Sequence, residues 1–316
     1  MVAFEVKAMI RLSIIVPFYN VEKYVEECIR SLYDQDIPQE EYEVLCVDDC
    51  SPDGSRAIVE RLQKEYKTLR LICHERNKKL GGARNTGQRE AKGEYIWFVD
   101  SDDTIYPNVL KTILDAAEKS NADILQFDYS RGERVWKTVE ELDVIQNGED
   151  YLFNNQSHWW YDKLSGAWRQ IFKRQFLQES GLEYIEDAMF EDTDFLLRAF
   201  LSADKVQYVP IEAYNYRING ESVTKAPISP ERLAWRVNLV ARCRQCISNA
   251  KTDYTKETIN RMVMNSLTSI RNEIKSLTCR QRQMYVRRLD SAISECKILV
   301  NWRTWLAVRY GITLFV

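Results

Sequence analysis

No stretch of this 316-residue sequence approaches the roughly 20 apolar residues that a bilayer-spanning helix needs. No secretory leader is expected either. Leu12-Ser13-Ile14-Ile15-Val16 is too short for its apolar segment and stops at Pro17. The chain is therefore expected to stay in the cytoplasm. It has no internal repeat and no low-complexity linker, which excludes solenoids and tethered arrays. Histidine is scarce, with only His74 and His158, so little imidazole is on hand for metal ligation. The eight cysteines include one Cys-x-x-Cys, Cys243 to Cys246, and no second pair at zinc spacing. Others lie inside apolar runs such as Val44-Leu45-Cys46-Val47, where a thiol packs as a small hydrophobe. Reduced, buried thiols in a cytosolic protein are the expectation.

What is present is a globular composition, 45% hydrophobic and 29% charged, long enough for one large domain or two modest ones. The net charge of −3 hides a division. Residues 1–228 carry 28 Lys/Arg against 41 Asp/Glu, a net of −13, and residues 229–316 carry 16 against 6, a net of +10. The basic part suits either anionic lipid or the acidic part of its own chain. No nucleic-acid-binding motif accompanies it. Trp302, Trp305, Arg309, Tyr310 and Phe315 make its end aromatic and basic, a pattern that fits a membrane interface as well as a docked terminal helix.

Strand and helix patterns alternate from residue 12 onward, after a loose leader at 1–11. Apolar runs at 12–16, 43–47, 69–73, 95–99 and 122–128 read as strands, and the segments between them as helices, with Ser51 and Pro52 expected to start the second and Pro107 to open the fourth. Such alternation predicts an α/β domain over 12–228, with a mostly parallel sheet covered by helices on both faces, followed by a helical, basic region at 229–316. Residues 131–190 are less regular.

In sheets of this kind ligands bind beyond the carboxyl ends of the strands. The polar clusters sit there: Pro17-Phe18-Tyr19-Asn20, Asp48 to Asp53, His74 to Gly82, and Asp100-Ser101-Asp102-Asp103. Three carboxylates at one strand end repel unless a cation joins them, and a hard ion such as Mg²⁺ or Mn²⁺ suits oxygen ligands. A bare D-x-D more often marks a turn with helix-capping Asp residues, so the metal reading rests on the neighbouring clusters. Asp49 can accept hydrogen bonds from a base or a ribose. Arg84, read as lying in the first turn of a helix, can meet a base or phosphates. Glu191 and Asp192 at a helix start are either charges against the helix dipole or a general base. Arg217 is either a hairpin-end charge or a diphosphate clamp.

Taken in order, these segments resemble the inverting family-2 glycosyltransferases with the GT-A fold. The resemblance covers residues 11–225 and runs through Ile14 to Asn20, Val47 to Gly54, Gly81-Gly82-Ala83-Arg84-Asn85-Thr86-Gly87, Gly93 to Asp103, Glu191 to Phe195, and Tyr214-Asn215-Tyr216-Arg217. It implies that Pro17, Tyr19 and Asn20 line a nucleotide pocket, that Asp49 recognises uracil with Asp48 beside it, and that Arg84 contacts the nucleotide. It implies Asp100 and Ser101 toward the ribose, Asp102 with Asp100 toward Mg²⁺ or Mn²⁺, and Asp192 as the base, with Glu191 less suited. Arg217 would hold the diphosphate and Trp168 would lie near the acceptor. Cys50 stands where many relatives have glycine and is expected merely to pack. The Q-x-x-R-W motif of processive synthases is missing, which implies one sugar added per acceptor. The implied partners are a nucleotide-sugar donor, a UDP-sugar, and a carbohydrate or lipid-linked glycan acceptor in capsule, O-antigen or other envelope polysaccharide synthesis, met at the inner face of the membrane. The rival readings are a sugar nucleotidyltransferase, which would need a Gly-rich basic loop after the first strand, and a non-catalytic nucleotide-sugar binder, which has no use for Glu191-Asp192.

Overall fold

A computed structural model describes residues 9–137, 146–153, 164, 166–186, 188, 191–218 and 229–276. The chain divides into two compact units, Met1–Ala188 with Arg198–Asn219, and Met189–Leu197 with Gly220–Val316. The short segment Met189–Leu197 therefore groups with the carboxyl-terminal part.

The first unit is built on one sheet. Its strands are β1 (Leu12–Phe18), β2 (Tyr42–Asp48), β3 (Leu69–Cys73), β4 (Tyr95–Phe98), β5 (Thr104–Ile105), β6 (Ile124–Arg131), β7 (Arg134–Trp136), β8 (Gln170–Lys173) and β9 (Val206–Tyr216). They lie in the order β3-β2-β1-β4-β8-β6-β9-β5, with β7 on β6. The pairings β1–β2, β2–β3 and β1–β4 are parallel, as the alternation implies. Beyond β4 the sheet is mixed: β8 runs antiparallel to both β4 and β6, and β5 antiparallel to β9. The expectation of a mostly parallel sheet thus holds for the first half, and the irregular stretch after residue 131 supplies the reversed strand β8.

Burial explains the strands. All seven residues of β1, all seven of β2 and all four of β4 are buried, the pattern of strands covered on both faces. Helices α1 (Val25–Tyr33), α2 (Ser55–Leu62), α3 (Lys79–Glu90) and α4 (Leu110–Ser120) connect them, followed by α5 (Gly148–Phe153) and α6 (Arg174–Glu179). In α1 the buried residues are Val25, Cys28, Ile29 and Leu32, and in α4 they are Leu110, Ile113, Leu114 and Ala117. Both sets follow the i, i+3, i+4, i+7 spacing of an apolar stripe.

Two helix starts differ from expectation. α2 begins at Ser55 rather than at Pro52, because Asp53 Oδ1 accepts from the Ser55 N–H and hydroxyl and closes a turn first. α4 begins at Leu110 rather than Pro107. Asn108 takes a left-handed φ of 59°, and the free N–H groups of Val109, Leu110 and Lys111 are satisfied by Gln35 Oε1 and Asp36 Oδ1 from a distant loop. A cap lent by another segment leaves no local signal.

In the second unit, α8 (Pro230–Gln245) is capped by Ser229, whose hydroxyl accepts from Arg232 N at 3.1 Å, with proline at the first position. It lies beside α9 (Asp253–Ser276), with Arg236 donating to Ser269 Oγ at 3.1 Å. The preceding helix α7 (Glu191–Ser202) starts in this unit and ends in the first. Cys243 and Cys246 are buried, and burial pushes the Cys243 thiol up, away from the thiolate a reactive cysteine needs. Among the described residues no helix is long and apolar enough to cross a membrane. The aromatic, basic segment beyond residue 300 lies outside the described residues, as do His158, Trp159 and Trp160.

The approach of α3 to β1 is set by Gly87. A Cβ there would come within 2.3 Å of Ile15 Cγ2, well inside van der Waals contact. Gly87→Ala is expected to cost about 1–3 kcal/mol through overpacking, read as a lowered midpoint in urea or thermal melts. An unchanged midpoint would contradict this packing.

Candidate active site

The parallel strands β2, β1 and β4 are neighbours, so their carboxyl ends share one edge of the sheet. At that edge the loop after β1 is stitched to the loop after β2 by four backbone N–H groups donating to side-chain oxygens. Asn20 N donates to Ser51 Oγ at 3.3 Å, Val21 N to Ser55 Oγ at 2.9 Å, Glu22 N to Asp53 Oδ2 at 2.9 Å, and Gly54 N to Glu22 Oε2 at 2.7 Å. Pro17 is buried in β1, whereas Tyr19 and Asn20 are exposed beyond it. Asn20, Cys50 and Lys79 all take left-handed backbone angles, at φ 57°, 68° and 62°. Non-glycine residues in that region carry strain and concentrate at functional loops. Cys50 does not merely pack. It is exposed and left-handed, the conformation that favours glycine, and its thiol donates to the His74 carbonyl at 3.3 Å.

Asp48 and Asp49 are both buried at the end of β2. Asp48 Oδ1 accepts from Ser51 N at 2.9 Å and holds the turn. Asp49 Oδ1 accepts from Lys78 N at 2.8 Å and lies 2.8 Å from His74 Nδ1. Asn77 donates to the Asp49 carbonyl at 3.1 Å. The residues 74–78 therefore clamp Asp49 from β3's exit, a task the sequence did not assign to this polar cluster. A histidine ending a strand beside a site loop was the available signal.

At the end of β4, Asp100 and Asp102 are half-buried and Ser101 and Asp103 are buried. Asp103 is a cross-link: Oδ2 accepts from the Tyr214 hydroxyl at 2.7 Å and Oδ1 from Arg217 N at 2.8 Å. The same Tyr214 oxygen accepts from Asp100 N at 3.2 Å. Burial pushes the Asp103 carboxyl up to about 8, with the charges of Asp100 and Asp102 adding to it and the Tyr214 and Arg217 hydrogen bonds opposing.

Arg84 lies in the second turn of α3, not the first, and is fully buried. Its guanidinium donates to Asp100 Oδ1 at 2.8 Å and stands 5.2 Å over the Tyr184 ring. Past the first turn and buried, it takes no part in anion binding by the helix's free N–H groups. Its charge meets the edge of the sheet through Asp100, whose side chain is 24% exposed. Arg217 donates from Nε to the Asp102 carbonyl at 3.0 Å, pairs with Glu27 at 2.7 Å and lies over the Tyr24 ring. Trp168 is 6% exposed. Its ring stacks on Tyr214 at 4.5 Å, with Tyr216 and Tyr129 beside it, so it supports the tyrosine that holds Asp103.

In the second unit, Glu191 and Asp192 occupy the first turn of α7, with Glu191 buried and Asp192 half-buried. Among the described residues no group of three or more His, Cys, Asp or Glu is arranged to hold a metal. The side chains at the end of β4 nevertheless offer carboxylate oxygens, the ligand type that a hard cation takes.

The model of glycosyl transferase family 2 matches residues 13–176. The chain is 33% identical over 233 residues to the uncharacterized glycosyltransferase EpsJ of Bacillus subtilis, covering 69% of this chain and 64% of that one. It is 30% identical over 243 residues to the poly(ribitol-phosphate) β-N-acetylglucosaminyltransferase TarS of Staphylococcus aureus, covering 74% of this chain and 40% of that one. The chain thus spans less than two thirds of either relative. Among solved structures, S. aureus TarS 1-349 in complex with UDP-GlcNAc superposes with a TM-score of 0.72 at 24% identity, over 95% of this chain and 91% of that one. The mannosyltransferase PcManGT of Pyrobaculum calidifontis, with GDP-Man and Mn²⁺, gives 0.53 at 16% identity, over 95% and 79%. The architecture is that of the GT-A glycosyltransferases.

The raised Asp103 carboxyl has a consequence for stability. Below about pH 4 both folded and unfolded chains hold the proton. Between about 4 and 8 the unfolded chain ionises first, so stability falls as pH rises, and it levels off above the folded value of about 8. Urea melts in divalent-free buffer at pH 5 and pH 8 are expected to show this slope, and Asp103→Asn to flatten it. A slope that survives Asp103→Asn would assign it to another group.

Proposed function

The chain belongs to glycosyl transferase family 2, and from that premise we propose that it transfers single sugars from a UDP-sugar to an acceptor hydroxyl with inversion. The observation that carries this reading is the shared edge of β2, β1 and β4, with Asp49 at one strand end and Asp100 and Asp102 at another. Bound UDP-GlcNAc in the TarS structure supports a uridine donor. The printed activities of TarS and of a poly(ribitol-phosphate) β-glucosyltransferase of Bacillus spizizenii support an acceptor among cell-envelope polymers. Such an acceptor would be met at the inner face of the membrane.

Each residue then has a task. Pro17, Tyr19 and Asn20 wall the base, Asp48 fixes the turn, and Asp49 accepts a hydrogen bond from the uracil. Asp100 and Ser101 face the ribose, and Arg84 holds Asp100 in place from within the core. Arg217 binds the diphosphate after exchanging Glu27 for it, a swap of one carboxylate for a more highly charged anion. Trp168 keeps Tyr214 and Tyr216 in position on the acceptor side. Asp102, with Asp100, would hold Mg²⁺ or Mn²⁺. A divalent cation there supplies charge neutralisation to the departing diphosphate.

Asp192 is the base. Asp192 is half-buried where Glu191 is buried, so it is the better placed of the two to meet an acceptor. It takes the proton of the acceptor hydroxyl as the oxygen attacks the anomeric carbon from the face opposite the diphosphate. One displacement inverts the centre and turns an α-linked donor into a β-linked product.

Release of UDP from a panel of UDP-sugars, with Mn²⁺ and with acceptor, tests the activity. Asp192→Asn is expected to lower transfer by about 10²–10⁴-fold while UDP binding survives; near-normal transfer by this variant would exclude Asp192 as base. Asp102→Ala is expected to remove the Mn²⁺-dependent part of UDP affinity in calorimetric titrations. Equal Mn²⁺ dependence in the variant and the parent would remove Asp102 from the metal site.

A further inference from the structure

Three side chains from separate elements meet behind the base-binding end of β2. His74, just past β3, puts Nδ1 2.8 Å from Asp49 Oδ1 and Nε2 2.9 Å from Thr86 Oγ1 on α3. The His74 and Asp49 side chains are 6% and 4% exposed. An ionised carboxylate only accepts hydrogen bonds, so Nδ1 carries the proton and donates to Asp49. Nε2 then faces a hydroxyl that serves as donor or acceptor as needed, because Thr86 also has the Gly82 carbonyl within 3.1 Å. The Lys78 N–H donates to the same Asp49 oxygen at 2.8 Å. Oδ1 is thereby occupied twice. Among the described residues no hydrogen bond reaches Oδ2.

We propose that His74 is a positioning residue that makes Asp49 a one-oxygen acceptor and so sets the choice of nucleobase. This rests on the reading of Asp49 as the base-recognising carboxylate. A uracil offers one ring N–H between two carbonyls, and a single carboxylate oxygen satisfies it. A guanine offers a ring N–H and an amino N–H side by side, and two such donors call for both oxygens of a carboxylate. With Oδ1 held by His74 and Lys78, the second guanine donor has no acceptor, and a buried donor left unpaired is costly. Rotation of the carboxylate to free Oδ1 would break the bond to His74. The specificity therefore comes from a ring that touches no substrate, acting through the oxygen it occupies.

The test compares UDP and GDP binding with Mn²⁺ by calorimetry in four variants. His74→Asn keeps an N–H where Nδ1 stood and is expected to hold the UDP-over-GDP ratio within about threefold. His74→Gln fills the same space and reaches Thr86 without a donor at Asp49. It is expected to weaken UDP by about ten- to a hundredfold, the effect of one charge-assisted hydrogen bond, and to narrow the ratio. His74→Leu should follow His74→Gln where it folds. In turnover the loss should fall on the donor KM more than on kcat. Equal UDP-over-GDP ratios in the Asn, Gln and parent proteins, with a ratio collapsed by Asp49→Ala, would overturn the role of His74 and leave that of Asp49 standing. A ratio unmoved by Asp49→Ala would overturn both.

Discussion

The structure depends on how it tolerates three carboxylates at the end of one buried strand. Asp100, Asp102 and Asp103 lie within five residues of the end of β4, and the charges of Asp100 and Asp102 raise Asp103 beyond the effect of burial. The fold answers with different partners for two of them. Asp100 takes a buried guanidinium, and Asp103 takes a phenol and a backbone N–H from the end of β9. A buried polar group that loses its partner is left unsatisfied at a cost, so Arg84 and Tyr214 are tied to these acids although neither faces solvent.

That arrangement links the strand order to the chemistry. β1 lies between β2 and β4, so the acid of one loop and the acids of another come to the same sheet edge. The loops after β1 and β2 are then locked to each other by side-chain oxygens accepting backbone N–H groups, which satisfies donors that turns would otherwise leave unpaired. On the far side, β5 pairs with β9 immediately after the carboxylates, and this brings Arg217 against the Asp102 carbonyl. A strand-end cluster assembled in this way is held by contacts between loops more than by any single helix or strand. Left-handed Asn20, Cys50 and Lys79 mark where the chain bends sharply to make those contacts.

Much of this was legible in the residues. The buried strands β1, β2 and β4 announce themselves as apolar runs, and α1 and α4 by their stripes. The acids after β2 and β4 were identifiable because they follow such runs. The helix starts at Ser55 and Leu110 were not, since their caps and turns depend on Asp53, Gln35 and Asp36 accepting from backbone groups. Arg84 was legible as a charge near the strand ends but not as a sealed one, because burial of a charge depends on what the rest of the chain places around it. Cys50 was expected to pack, and the left-handed turn that exposes it is a property of the loop, not of its side chain.

By itself the sequence determined the order of strands and helices, the positions of the acids and the division into an acidic and a basic part, because periodicity, turn chemistry and charge are local quantities. The tertiary structure alone decided which oxygen of which acid is already taken. His74 on Asp49, Arg84 on Asp100 and Tyr214 on Asp103 are contacts across 25, 16 and 111 positions of sequence. Hydrogen bonds form between atoms that are close in space, and no pattern along the chain encodes that closeness until the sheet has brought its strand ends together.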